Sequence, residues 1–258
     1  MIRGRHRVNG AVDRLSYIGH STTLVRLGGT SLLTDPVLRD WIGPLRRQAP
    51  PVEEELSAAD AVLVSHLHRD HLDLPSLRQL PPTTPLIVPR GAAGVASKAG
   101  ADRIWEVALG QTISVGTVTV TAVPALHDGR RTPWGKPADA LGYVIAGGGR
   151  RVYFAGDTEL FEGMSELRPL DLALLPVWGW GPSLNPGHLD PAGAARALAL
   201  LRPRVAVPIH WGTFYPLGLR RLRHDRLSRP PIEFERFAAE LAPEVEVHVL
   251  QPGEMIDL

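Results

Sequence analysis

The sequence contains no cysteine, which excludes disulfides, a thiol nucleophile and any thiolate-bound zinc or iron–sulfur cluster. It also lacks a charge imbalance. With 28 basic and 27 acidic residues the formal charge is +1, so no nucleic acid or acidic partner is expected from whole-molecule electrostatics. No apolar stretch approaches the roughly 18 residues that a membrane-spanning helix needs. The basic N-terminus, MIRGRHRVNGAVDRL, has no apolar segment behind its charges, so no secretory signal is expected. These absences lead to the expectation of a soluble, cytoplasmic protein. Lysine is nearly missing as well, being confined to Lys98 and Lys136, which reflects GC-rich coding more than function.

What is present is enough apolar material for a sizeable core: 258 residues of which 44% are hydrophobic. Short β-branched runs bounded by Gly, Pro or Asp recur throughout. They read as strands at 14–19, 23–29, 31–35, 60–66, 85–89, 103–107, 112–116 and 117–123. A second series lies at 141–147, 151–157, 171–177, 204–210 and 244–250. Helices are fewer, at 73–80, 190–201 and 231–242. The second of these opens with Asp190 as N-cap and Pro191 at the first helical position. In each half a meander of strands gives way to strand–helix alternation, which implies an α/β protein with two packed sheets and helices outside, a four-layer αββα arrangement. No repeat or linker interrupts the chain, so one domain is expected over 1–258. The connections at 36–52 and 124–140 are long for a compact domain, and loops of that length are often functional.

The densest chemistry lies in LVSHLHRDHLD (63–73), which spends three of the ten histidines within six positions directly behind an apolar run. His66 and His68 are two apart and share a side in extended geometry, while Asp70 and His71 form a second pair after Arg69. One turn thereby offers two sets of metal ligands, as a dinuclear site requires. A turn that merely capped a helix would not need three imidazoles. Further ligands should also stand at strand ends, and three such positions exist: His127 after TVTVTAVPAL, Asp157 in FAGDT and His210 in PIHWGTF. At Asp157 the preceding Gly156 permits close backbone approach.

The order H-x-H-x-D-H, lone His, Asp, His resembles the metallo-β-lactamase superfamily over essentially the whole chain. YIGHSTTLVRLGGTSLLTDPV (17–37), PALHDGRR (124–131), GHLDPAGAARAL (187–198) and PIHWGTF (208–214) resemble the branch containing N-acyl-phosphatidylethanolamine phospholipase D and the ascorbate-6-phosphate lactonases. The resemblance implies that His66, His68 and His127 hold one divalent ion, that Asp70, His71 and His210 hold a second, and that Asp157 bridges both. Zn²⁺ suits such thiolate-free ligands, with Mn²⁺ or Fe²⁺ tolerated. It further implies hydrolysis by a hydroxide shared between the ions and steered by Asp70. His188 would polarise the substrate or protonate the leaving group.

Arg130 and Arg131, on the loop behind His127, are candidates to bind a phosphate or carboxylate. Trp134, Trp178 and Trp180 are candidates for an apolar pocket wall, or for ordinary core positions. The five-arginine stretch 219–229 reads as a solvated surface. His20 reads equally as a partner of a ligand or a structural core histidine, and stays outside the ligand set. The expected substrate is a small-molecule or lipid-like phosphodiester or phosphate ester, with a lactone or other carboxylic ester as the alternative. VWGWGPSLNPGH differs from the phospholipase family, as does a start close to the first core strand, and both keep smaller substrates open. A di-iron oxidoreductase, typically carrying Glu where this chain has His68, ranks lower. Homo-oligomerisation is compatible with the sequence.

Overall fold

The computed structural model describes residues 12–52, 56–179, 186–217 and 225–258. Trp180, the N-terminal basic stretch up to residue 11 and residues 219–224 of the arginine-rich stretch lie outside the described residues.

Strands β1 (Arg14–Gly19), β2 (Thr22–Leu27) and β3 (Thr30–Thr34) form an antiparallel meander. A small hairpin of β4 (Trp41–Ile42) and β5 (Leu45–Arg47) comes next. Strands β6 (Ala61–Leu63), β7 (Leu86–Pro89) and β8 (Ile104–Val107) then extend the meander in parallel, with the short helices α1 (Leu74–Leu77) and α2 (Ala93–Ala96) in their crossovers.

The second half repeats this plan. Strands β9 (Thr112–Val115), β10 (Val118–Pro124), β11 (Leu141–Gly147) and β12 (Arg150–Phe154) are antiparallel. Strands β13 (Leu172–Pro176) and β14 (Val205–Ile209) then add in parallel, with α3 (Pro191–Leu201) between them. After β15 (Phe214–Pro216) and α4 (Asp225–Leu241), β16 (Glu246–Val247) closes this sheet and β17 (Met255–Asp257) returns to pair with β1. The sheet orders are β17-β1-β2-β3-β6-β7-β8 and β16-β14-β13-β12-β11-β10-β9.

Strand periodicity explains the layers. In β6 and the residue after it, Ala61 and Leu63 join the inter-sheet core, whereas Val62 and Val64 face a second cluster with Leu77 of α1 and Ala96 of α2. In β7, Ile87 faces the first cluster and Leu86 and Val88 the second. The other sheet presents Tyr143, Val152 and Phe154 to the inter-sheet core, and the cluster continues to Ala194, Leu198 and Leu201 of α3 and Phe234 of α4. The four-layer αββα arrangement read from the sequence is therefore present. Truncating a buried ring such as Phe154 would cost about 3–5 kcal/mol.

Three details differ from the sequence reading. The 36–52 segment is not a plain loop: its hairpin pairs through β5 with β15, and Arg47 stacks over Phe214 at 4.8 Å from the ring centroid. Helix α4 begins at Asp225, six residues before the expected 231, and carries Pro230 and Pro231 inside it. The strand expected at 244–250 shrinks to two residues, because only Glu246 and Val247 find partners on β14.

Candidate metal centre

The chain leaves β6 through Val64 and Ser65, and Asp35, at the end of β3, anchors it there. The Ser65 backbone N–H donates to Asp35 Oδ1 at 2.7 Å and the Ser65 hydroxyl donates to Oδ2 at 2.5 Å. The His68 carbonyl accepts from the N–H groups of His71 and Leu72, closing a tight turn that runs into α1. Asp73 caps that helix by accepting from Ser76, and Arg39 grips Asp73 with two nitrogens. Thus the protein's own contacts tie down the residues on both sides of the turn.

Hydrogen bonds also settle the tautomers. Asp35 Oδ2 accepts from His71 Nδ1 at 2.7 Å, since a carboxylate only accepts, and this leaves His71 Nε2 with a lone pair in the neutral ring. The Ser65 hydroxyl, its proton committed to Asp35, accepts from His66 Nδ1 at 2.9 Å, so His66 Nε2 carries a lone pair. His127 Nδ1 donates to the Gly187 carbonyl at 2.8 Å, with the same consequence at its Nε2.

These lone pairs converge. His68 Nδ1 lies 2.9 Å from His66 Nε2 and 3.1 Å from His127 Nε2, and a single proton cannot satisfy both contacts. Beside this trio, Asp157 Oδ2 stands 3.2 Å from His71 Nε2 and 3.9 Å from His66 Nε2, while Oδ1 stands 3.4 Å from His210 Nε2. Buried His71 Nε2 and Asp157 Oδ1 make no hydrogen bond. Nitrogen and carboxylate donors facing one another at these distances fit cations placed between them.

Close approach of the strand ends makes this assembly possible. A Cβ at Gly156, whose φ is +60°, would stand 2.6 Å from Ser65 Cβ. One at Gly187, with φ +91°, would stand 2.6 Å from His127 Nδ1. Of the four non-glycine residues with positive φ among those described, three are here: His20 (57°), Asp35 (33°) and His210 (63°). Left-handed backbone at such residues costs on the order of 1 kcal/mol each and persists where surrounding contacts over-determine it.

The histidines divide by charge. Burial lowers the pKa of His66 and His68, and their neighbouring imidazoles add to the effect. Burial likewise lowers His127 to about 4, outweighing the pull of Asp157. For His71 burial alone would do the same, but Asp157, Asp70 and Asp35 together hold it well above the ordinary value. His210 is pushed up to about 9 against the cost of burial, through Asp157 and Asp70. Both carboxylates, Asp70 and Asp157, are held well below the usual range by surrounding imidazoles despite their burial.

All seven expected ligand positions lie in this cluster. His188 joins it with Nε2 at 3.4 Å from Asp157 Oδ2. Trp178 is buried, stacked on Tyr215, whereas Trp134 is 93% exposed. Arg130 is exposed and its guanidinium grips Asp128 with two nitrogens. Arg131 points inward instead, one nitrogen donating to the carbonyls of Leu67 and Leu72 at 3.1 and 2.9 Å, across the ligand turn.

One member escaped the sequence reading and another was left open between two roles. Asp35 was not singled out, because an Asp-Pro pair behind a strand is ordinary turn chemistry. His20 stood outside the ligand set, yet its Nε2 lies 3.2 Å from Asp70 Oδ2, and it groups with Asp70, His71 and His210 within 4.8 Å. Burial and the neighbouring His210 lower its pKa to about 3. A histidine in the two-residue turn between two buried strands was the available signal.

A family model described as a beta-lactamase superfamily domain matches residues 30–211. A metal-dependent hydrolase of Methanopyrus kandleri is 35% identical over 251 residues, covering 93% of this chain and 98% of the relative. An N-acyl-phosphatidylethanolamine-hydrolyzing phospholipase D of Caenorhabditis elegans is 33% identical over 237 residues, covering 79% of this chain and 64% of the relative. Among solved structures, a metallo hydrolase of Ignicoccus hospitalis superposes with a TM-score of 0.70 at 28% identity, covering 96% of this chain and 99% of that one.

Proposed function

Because the chain belongs to the metallo-β-lactamase superfamily and is a metal-dependent hydrolase, we propose that it binds two divalent ions, zinc foremost, and hydrolyses a phosphodiester or another phosphate-bearing ester. The observation that carries this reading is the reach of Asp157, whose two oxygens face His71 on one side and His210 on the other, with His66 at 3.9 Å. One carboxylate is thus available to both groups of ligands.

When bound, two such ions supply Lewis acidity and bring the pKa of a shared water toward neutrality. His66, His68 and His127 would hold one ion, Asp70, His71 and His210 the other, and Asp157 both. The remaining work falls to this chain's own side chains. Asp70, with 16% of its side chain exposed against 2% for Asp157, is the carboxylate that meets solvent and orients the attacking water by accepting its hydrogen bond. His188, 14% exposed and leaning on Asp157, would protonate the leaving oxygen in this reading.

Two features favour phosphate. The nematode relative is named for hydrolysing a phospholipid. Arg130 is exposed on the loop behind His127 and held by Asp128, a partner that an incoming phosphate can displace. Arg131, committed to two backbone carbonyls, serves the ligand turn rather than the substrate in this reading. No helix among the described residues is long and apolar enough to cross a membrane.

Elemental analysis of the purified protein, paired with assays on bis(4-nitrophenyl) phosphate and on a panel of lactones, tests the proposal. It expects about two zinc ions per chain and chelator-sensitive phosphodiester hydrolysis. Lactone turnover without phosphodiester turnover would transfer the same centre to carboxylic esters, and iron with a redox-active spectrum would overturn the hydrolytic reading.

A further inference from the structure

His20 belongs to none of the seven ligand positions, and it comes from the far end of the sequence, in the turn joining β1 to β2. Its side chain is 1% exposed. Nε2 lies 3.2 Å from Asp70 Oδ2, the same oxygen that stands 3.7 Å from His71 Nε2 and 3.7 Å from His210 Nε2. The His20 ring lies against His210, with centroids 4.0 Å apart, and rests edge-on against Phe214 at 5.8 Å.

The backbone of His20 is engaged as fully as its ring. Its N–H donates to Thr213 Oγ1 at 2.7 Å, and its carbonyl accepts from the His210 N–H at 2.8 Å. Both histidines occupy left-handed backbone, at φ 57° and 63°, so each holds the other in a conformation that neither would adopt freely. The turn is closed from behind by Gly19, where a Cβ would meet Thr213 Oγ1 at 2.8 Å.

We propose that His20 is a positioning residue for the second ion, orienting the Asp70 carboxylate with its imidazole and the ligand His210 with its backbone carbonyl. The inference rests on the dinuclear reading above and deepens it. Asp70 sits on a turn and is more solvent-exposed than Asp157, so it gains most from a fixed partner on its buried side. Partners of this kind set the direction of a ligand's lone pair, and losing one typically costs about 10–100-fold in metal affinity. The contacts that His20 makes with Asp70 and His210 fall on ligands of the second ion, so the effect is expected there.

Two substitutions separate the imidazole from the backbone. His20→Gly removes the side chain in a residue that accepts positive φ, and His20→Gln keeps an N–H donor at a similar reach. Zinc affinities of both ions are measured by chelator competition on the metal-free wild type and variants, with thermal unfolding of each as a fold control. His20→Gly is expected to bind the first ion like wild type and the second about 10–100-fold more weakly, whereas His20→Gln stays close to wild type for both. Unchanged second-ion affinity in His20→Gly overturns the proposal. Equal damage in both variants also overturns it, since that would make the imidazole itself a ligand. A wild type that binds fewer than two ions would instead remove the dinuclear reading beneath it.

Discussion

The two halves of the centre are built from the same side chain and hold protons in opposite ways. His66, His68 and His127 are surrounded by one another, and burial lowers each pKa, leaving neutral imidazoles at neutral pH. His71 and His210 are buried at least as deeply, yet Asp157, Asp70 and Asp35 overcome that burial and keep them protonated, His210 up to about 9. Burial is common to both, so the carboxylates decide the difference. The first of the two proposed subsites would accept a cation as it stands. The second already holds positive charge as protons, and an ion entering there must displace them.

Removing the shared carboxylate should erase this contrast. Asp157→Ala is expected to lose both ions and reduce hydrolysis to background. Without its partner the buried His71–His210 side loses stabilisation on the order of 3 kcal/mol. Elemental analysis and chemical denaturation check both outcomes, and retention of two ions would break the account.

Asp35→Asn should act on the second subsite more than the first. The amide keeps the carboxylate's shape but presents N–H toward His71 Nδ1, favouring the wrong tautomer for a ligand at Nε2. Second-ion affinity should fall about 10–100-fold in a chelator competition. The first ion feels the change only through Ser65 and His66.

The comparison also sets how stability varies with pH in metal-free protein. His210 keeps its proton to about 9 when folded but releases it near 6.5 when unfolded. Its contribution is therefore full below about 6.5 and lost as pH rises toward 9, and that of His71, also raised, is likewise full below about 6.5 and lost at higher pH. His127 and His20 behave in reverse. Their contribution is full above about 6.5 and fades as pH falls toward 4 and then 3. Denaturation midpoints should peak near pH 6.5, and saturating zinc should remove the alkaline decline by taking the protons' place. The smallest effect is expected from Arg130→Met, which should raise KM for a phosphodiester several-fold with kcat nearly unchanged, since this exposed side chain is proposed to meet the substrate and makes its hydrogen bonds to Asp128 rather than to the ligand cluster.

The clustering of the seven proposed ligands was legible because they follow apolar runs, where strand geometry delivers side chains to a sheet end. The four layers were legible for a related reason, the change from meander to strand–helix alternation in each half. Contact across distance was not legible. His20 meets Asp70 from 50 residues away, and Asp35 meets His71 from 36, each from a position with an ordinary local explanation as a turn residue. The β4–β5 hairpin stayed hidden because two- and three-residue strands carry no readable alternation and its partner, β15, lies far along the chain. Arg131 looked like an anion-binding residue for the same reason, since nothing local reveals that its guanidinium reaches the carbonyls of Leu67 and Leu72.

The most direct test is to titrate metal-free protein with zinc at about pH 7.5 by calorimetry in two buffers of different protonation enthalpy, counting ions and released protons together. The account predicts two binding events, the first releasing almost no protons from the ligands and the second releasing about one or two as His71 and His210 give theirs up. A single event, or two events with equal proton release, would contradict it.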